Sequence, residues 1–383
     1  MSASLARELR GREVVVCCGS GGVGKTTTSA ALGMAMVRET DQKVLVLTID
    51  PAQRLATAMG IPEIGSEPVR VSTARMRRAG IEPGGGGELW AAMLDARSVW
   101  ADVVERYAPD RATAKAIKAN RFYRGISDAF VGSQEYIAME ALYELHHAGE
   151  YDVIVIDTPP SRNALDFIQA PSRVSDFVGK RFIGWLSGGT RFGFRAIDFA
   201  AVPLMRIAGR VLGTEALGEL REFATLIREL YDGVQTRGRD VYKLLRSDKT
   251  GFVVVTTLEP AAFGEAEFFT SKLRQYAMPL RGIVVNRVLP EWLDDAEAAR
   301  VATALQDDDT LAGWLGSECN ITTTEAGLTA VAQDFLTFNR LAIRDAKQLS
   351  RLARLGHVDV VRVPLMNDGI ADLEGLAKIA ALL

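Results

Sequence analysis

Short uninterrupted apolar runs alternate along this chain with longer stretches in which apolar residues recur at helical spacing. Val14-Val15-Val16-Cys17-Cys18, Lys43 to Ile49, Leu89 to Leu94, Asp152 to Asp157, Phe252 to Thr257, Gly282 to Arg287 and Val358 to Val363 each read as a buried strand, with a shorter one near Val69 to Ser72. Helical patterns separate them: Thr26 to Glu39, most of 95–147, 164–247, Gly264 to Tyr276, and an excursion from Leu289 to about Gly356. Strands that alternate with helices predict an α/β fold, a mostly parallel doubly wound sheet flanked by helices on both faces. The stretches at about 95–147 and 164–247 read as an inserted helical subdomain, and 289–356 as a helical excursion. Neither is an independent domain, because the strands on either side need one another, so 1–383 reads as a single domain.

The segment Met1 to Arg12 is polar and leads straight into the first strand, unlike a cleavable leader. Gly80 to Gly87 reads as a surface loop. Within 164–247, large apolar residues such as Phe167, Phe182, Trp185, Phe192, Phe199 and Met205 are interleaved with Arg173, Arg181, Arg195 and Arg206. They either pack helix on helix or line an apolar groove for a hydrophobic client. The arginines also interrupt the most apolar stretches well short of the ~20 residues a bilayer span requires.

The candidate chemistry begins where the first strand ends. Gly19, Gly24, Lys25 and Thr26 match the phosphate-loop spacing G-x-x-x-x-G-K-[ST], in the required context of a strand before and a helix after. Glycines at 19, 21, 22 and 24 let backbone N–H groups turn toward a phosphate, and the helix that follows points its positive end at the same place. Gly21, Gly22, Val23, Gly24, Lys25, Thr26 and Thr27 are therefore the expected nucleotide-binding residues, with Lys25 on the outer phosphates and Thr26 on a bound Mg²⁺. Two more strands end in carboxylates, Asp50 and Asp157, at the edge where open α/β sheets bind ligands. Asp50, followed by Pro51, also suits a helix cap. Asp157 suits a Mg²⁺-linked carboxylate. Asn286, at another strand end, carries the donor and acceptor needed to read an adenine edge.

A formal net charge of -3 gives no footprint for nucleic acid. Cys17, Cys18 and Cys319 cannot build a disulfide framework and no C-x-x-C occurs, which points to a reducing, cytoplasmic setting. An iron–sulfur cluster lacks ligands on the same count.

Four blocks together carry a resemblance: GSGGVGKTT at Gly19 to Thr27, TIDPAQRL at Thr48 to Leu55, YDVIVIDTPPSRNALDFIQAP at Tyr151 to Pro171, and VPLM at Val363 to Met366. Their order and spacing resemble the GET and arsenical-pump family of ATPases, phosphate-loop NTPases that dimerise around nucleotide. The resemblance implies Mg-ATP hydrolysis. It implies that Lys25 and Asp50 are catalytic, Asp50 orienting the attacking water, that Thr26 and Asp157 serve the metal, and that Asn286 and Pro364 form the adenine platform. It also implies a soluble ATPase with no membrane span, for which peripheral membrane contact stays open, acting on a hydrophobic client or as an anion-pump subunit.

The departures from that pattern are specific. Ser20 stands where the family has a lysine that reaches the partner's nucleotide, and a hydroxyl cannot replace a full charge. That predicts a heterodimer with a paralogous subunit carrying the signature lysine, with a homodimer compensated by Arg162 or another base as the alternative. Gln53 and Ser161-Arg162-Asn163 stand where many relatives have histidine-containing sequences. The zinc-binding C-x-x-C that bridges some family dimers is missing, so no zinc is expected.

Overall fold

A computed structural model describes residues 4–49, 54–62, 64–120, 123, 134–158, 233, 236–307, 310–311, 314, 325–356, 358–366 and 372–383. Asp50, Gln53, Ser161 to Asn163, the aromatic-rich stretch from Phe167 to Ile207, and Cys319 lie outside these residues.

The apolar runs form strands β1 (Val14–Cys18), β2 (Lys43–Thr48), β3 (Val69–Arg70), β4 (Glu88–Met93), β5 (Val153–Asp157), β6 (Thr250–Thr256), β7 (Leu280–Val288) and β8 (Asp359–Pro364). They build one sheet in the order β3-β4-β2-β5-β1-β6-β7-β8. Every pairing is parallel except that of the two-residue edge strand β3, which runs antiparallel to β4. Central strands covered on both faces need unbroken apolar sequence, and β1, β5 and β6 are buried at every position, whereas the edge strand β8 is largely exposed.

Alternation along β1 divides the interior into two layers. Val14, Val16 and Cys18 face one core and Val15 and Cys17 the other. The first core is covered by α5 (Ala96–Tyr107), α6 (Arg111–Ala119), α7 (Gln134–Ala148), a helical stretch over 236–246, and α8 (Pro260–Gln275). The second is covered by α1 (Leu5–Glu8), α2 (Lys25–Glu39), α3 (Arg54–Ala58), α4 (Thr73–Arg78) and a last helix whose apolar residues include Leu376 and Ile379. The excursion after β7 comprises α9 (Ala296–Asp307) and the long α10 (Glu325–Gly356), which share a small core of Ala302, Leu305 and Ala332. The last helix is α11 (Leu373–Ala380). Among the described residues no helix is long and apolar enough to cross a membrane.

The amino-terminal segment corrects the sequence reading. It is not a polar lead-in: Ser4 caps α1, accepting from the Arg7 amide, and Leu5 and Leu9 are fully buried. Glycines in the neighbouring strands make the room. A Cβ at Gly282 would overlap Leu5, and one at Gly251 would overlap Leu9. Burying two leucines contributes roughly 1.5–3 kcal/mol each before chain entropy is subtracted. The Gly80–Gly87 loop is likewise partly inward, since the Gly84 amide donates to the Val37 carbonyl at 2.9 Å and ties the loop to the end of α2.

Candidate nucleotide site

The loop between β1 and α2 is shaped by contacts from distant strands. Gly24 sits in the left-handed region at φ 93, and a Cβ there would also overlap the Asn286 side-chain amide. At Gly19 a Cβ would overlap the Val255 carbonyl of β6. Asn286, near the end of β7, is buried. Its amide donates to the Val23 carbonyl at 2.9 Å while its oxygen accepts from the Arg287 backbone N–H. Asn286 thus braces the loop from beneath, with both halves of its amide engaged.

Above this brace Gly21 and Gly22 are exposed, Val23 and Lys25 are buried, and Thr26 and Thr27 are half-buried. The Lys25 ammonium donates to the Ser20 carbonyl at 2.7 Å, folding back across its own loop. Gly24 offers the amino end of α2 no capping side chain, so the positive end of that helix opens onto the loop without a side-chain cap. A glycine cradle, a buried lysine and an uncapped helix start fit a phosphate group.

Beside the loop, Asp157 closes β5 at 2 % exposure. Its Oδ2 accepts from the Thr26 hydroxyl at 2.6 Å and from the Thr48 hydroxyl at 2.9 Å. Thr48 is level with Asp157 across the β2–β5 pair, and Cys17 is level with it on the other side. Thr158, next along, donates its hydroxyl to the Cys17 carbonyl at 2.9 Å, extending the β5–β1 contact past the carboxylate. A carboxylate with two hydroxyls gathered on one oxygen is the hard, oxygen-only donor set that suits Mg²⁺ rather than a softer metal.

The structure therefore brings together the loop residues, Lys25, Thr26, Asp157 and Asn286. Pro364 ends β8, level with Val288, and is exposed. The hydroxyl of Thr48 was missed by the sequence reading. The available signal for Thr48 was its place as the last residue of a strand destined to lie beside the strand ending in Asp157. The two described cysteines lie back to back. Burial, above all, pushes the Cys17 thiol up to about 12 and the Cys18 thiol up as well, and the two side chains enter opposite cores. They cannot share one ion.

This architecture is that of a phosphate-loop nucleoside triphosphatase, with the loop at the sheet position where successive connections leave in opposite directions, toward β2 and toward β7. The chain belongs to the anion-transporting ATPase family, whose profile matches residues 12–309. Among its relatives, ATPase GET3 of Malassezia globosa is 30% identical over 298 residues, covering 76% of this chain and 78% of the relative. An ATPase ASNA1 homolog of Entamoeba dispar is 26% identical over 273 residues, 71% of this chain and 75% of that protein. ATPase BagA of Mycobacterium tuberculosis is 22% identical over 381 residues, 97% of this chain and 92% of that protein. The resemblance read from the four sequence blocks is thus correct at the level of the family.

Proposed function

We propose that this chain binds Mg-ATP and hydrolyses it, as one member of an unequal pair of subunits. The observation that carries the reading is the Asp157 carboxylate, joined to Thr26 and Thr48 hydroxyls beside the buried Lys25 of the glycine loop. Lys25 exchanges the Ser20 carbonyl for oxygens of the outer phosphates. The amino end of α2 and the loop N–H groups hold the same phosphates. Thr26 and Asp157 hold Mg²⁺, which supplies neutralisation of the charge that develops between the β and γ phosphates. Asp50 orients the attacking water, a role that rests on the family resemblance. Asn286 keeps the loop in register, and with Pro364 borders the adenine.

Ser20 supports the unequal pair. A cation reaching across a dimer contributes roughly a thousandfold or more to phosphoryl transfer, and this chain offers only a hydroxyl at that place. The movement of the helical insert in step with the nucleotide belongs to the same proposal; α5, α6 and α7 are its described helices, and β5 lies between its two stretches. The test is ATP turnover by the purified chain, by its Lys25→Ala variant and by the chain with its cognate subunit. Low turnover alone, a sharp rise with the partner, and loss of the rise in Lys25→Ala are expected; a homodimer as active as the mixed pair refutes the unequal pairing.

A further inference from the structure

We propose that Ser20 determines how this chain distinguishes ATP from ADP, its hydroxyl donating a hydrogen bond to an oxygen of the terminal phosphate. The inference rests on the nucleotide reading of the site and goes further, giving the residue that departs from the family pattern a role within its own subunit.

Two observations converge on it. Ser20 is only 9 % exposed, and its Oγ is buried without a hydrogen-bond partner. A serine hydroxyl can donate once and accept twice, and burying it unpartnered is costly enough that such atoms are rare unless something else completes them. Second, the backbone carbonyl of the same residue is what the Lys25 ammonium holds at 2.7 Å. The lysine that reaches outer phosphates in such loops is therefore parked on Ser20, so the unpartnered hydroxyl belongs to the residue that Lys25 leaves when a phosphate arrives. A hydroxyl there meets a phosphate oxygen as a charge-assisted donor, the stronger kind of hydrogen bond. The loop's amides and Lys25 act on either nucleotide; the added donor is realised only when the third phosphate is present.

Consequences follow for regulation. A lysine at this place acts across a dimer and makes recognition of the third phosphate depend on the partner. A serine acts within its own loop, so this subunit senses ATP against ADP before it pairs, while lacking the charge that drives turnover.

The test uses the full chain, with Mg²⁺, titrated by calorimetry with adenylyl imidodiphosphate and with ADP. Wild type, Ser20→Ala and Ser20→Cys are compared, alongside thermal unfolding of each without nucleotide. Expected is a loss of about tenfold in affinity for the triphosphate analogue in both variants, the scale of one hydrogen bond to a charged group, with ADP affinity within about twofold of wild type. Ser20→Ala without nucleotide should melt no lower than wild type, because it removes an unpartnered buried hydroxyl rather than a bond. Equal losses for both nucleotides, or no loss for either, overturn the inference, as does a nucleotide-free Ser20→Ala that melts well below wild type. Should wild type bind neither nucleotide, the reading of the site itself falls, and this inference with it; binding of both with unaltered discrimination in the variants defeats the inference alone.

Discussion

Thr48 and Asp157 stand level on neighbouring parallel strands, and the Thr48 hydroxyl donates to Asp157 Oδ2 at 2.9 Å, the same oxygen that the Thr26 hydroxyl reaches at 2.6 Å. Three segments far apart in sequence are thereby joined at one atom: the start of α2, the end of β2 and the end of β5. A change at Asp157 is therefore felt directly at the ends of both neighbouring segments, Thr26 and Thr48.

Thr48→Val keeps the shape and removes that donor. Folding stability is expected to drop by about 1–3 kcal/mol, since a buried carboxylate oxygen loses a partner. Urea unfolding of the isolated chain measures it, and a change inside experimental error would show that the Thr26 contact alone suffices.

Gly24 combines a left-handed backbone with contact against Asn286. Gly24→Ala should remove nucleotide binding and destabilise the loop, with about 1–3 kcal/mol from backbone strain alone. The double variant Gly24→Ala, Asn286→Ala relieves the overlap but not the strain, so it should recover only part of the lost melting temperature. Full recovery in a thermal melt would contradict the importance of the left-handed conformation.

Asp50→Asn is expected to retain ATP affinity and lose most hydrolysis, because the substitution keeps size but not the carboxylate that orients water. Turnover near the wild-type rate, measured with the cognate subunit present, would remove Asp50 from the mechanism.

Glu13, at the foot of β1, is ion-paired to Lys249 at 2.8 Å and lies 2.7 Å from the His146 ring. The Lys249 hydrogen bond chiefly, with His146 adding, holds its carboxyl below the ordinary value of 4.5 against the opposing effect of burial. A lowered folded value means that the stabilisation is present above 4.5 and is lost as pH falls from there through the folded value. Wild type and Glu13→Gln should therefore differ in stability at pH 7 and converge in acid. Guanidinium unfolding across pH 3 to 7 checks this, and a gap that widened in acid would reverse the assignment.

Much of this molecule was legible because its physics is local. Unbroken apolar runs such as Val14 to Cys18 can only be strands covered on both faces, and a strand, glycine loop and Lys-Thr pair in sequence leave little choice about what the loop holds. What escaped is what other strands decide. Two leucines among charged residues announce no helix, so α1 became visible only with the hollows at Gly251 and Gly282 that receive Leu5 and Leu9. Thr48 looked like an ordinary strand residue until β2 was seated beside β5. Asn286 was legible as a polar strand end, but its hold on Val23, 263 residues away in sequence, was not.

The position of β1 also governs the order of assembly. It precedes the other described strands in the sequence, yet its neighbours are β5, beginning at Val153, and β6, beginning at Thr250. On the ribosome, β1 waits with both hydrogen-bonding edges open until each neighbour emerges, and the Val23 carbonyl waits longer still for Asn286. Such late, long-range closure makes folding slow and leaves the half-made chain prone to the wrong pairings. The nucleotide loop, which directly follows β1, thus owes its shape to strands that come more than 200 residues later in the sequence.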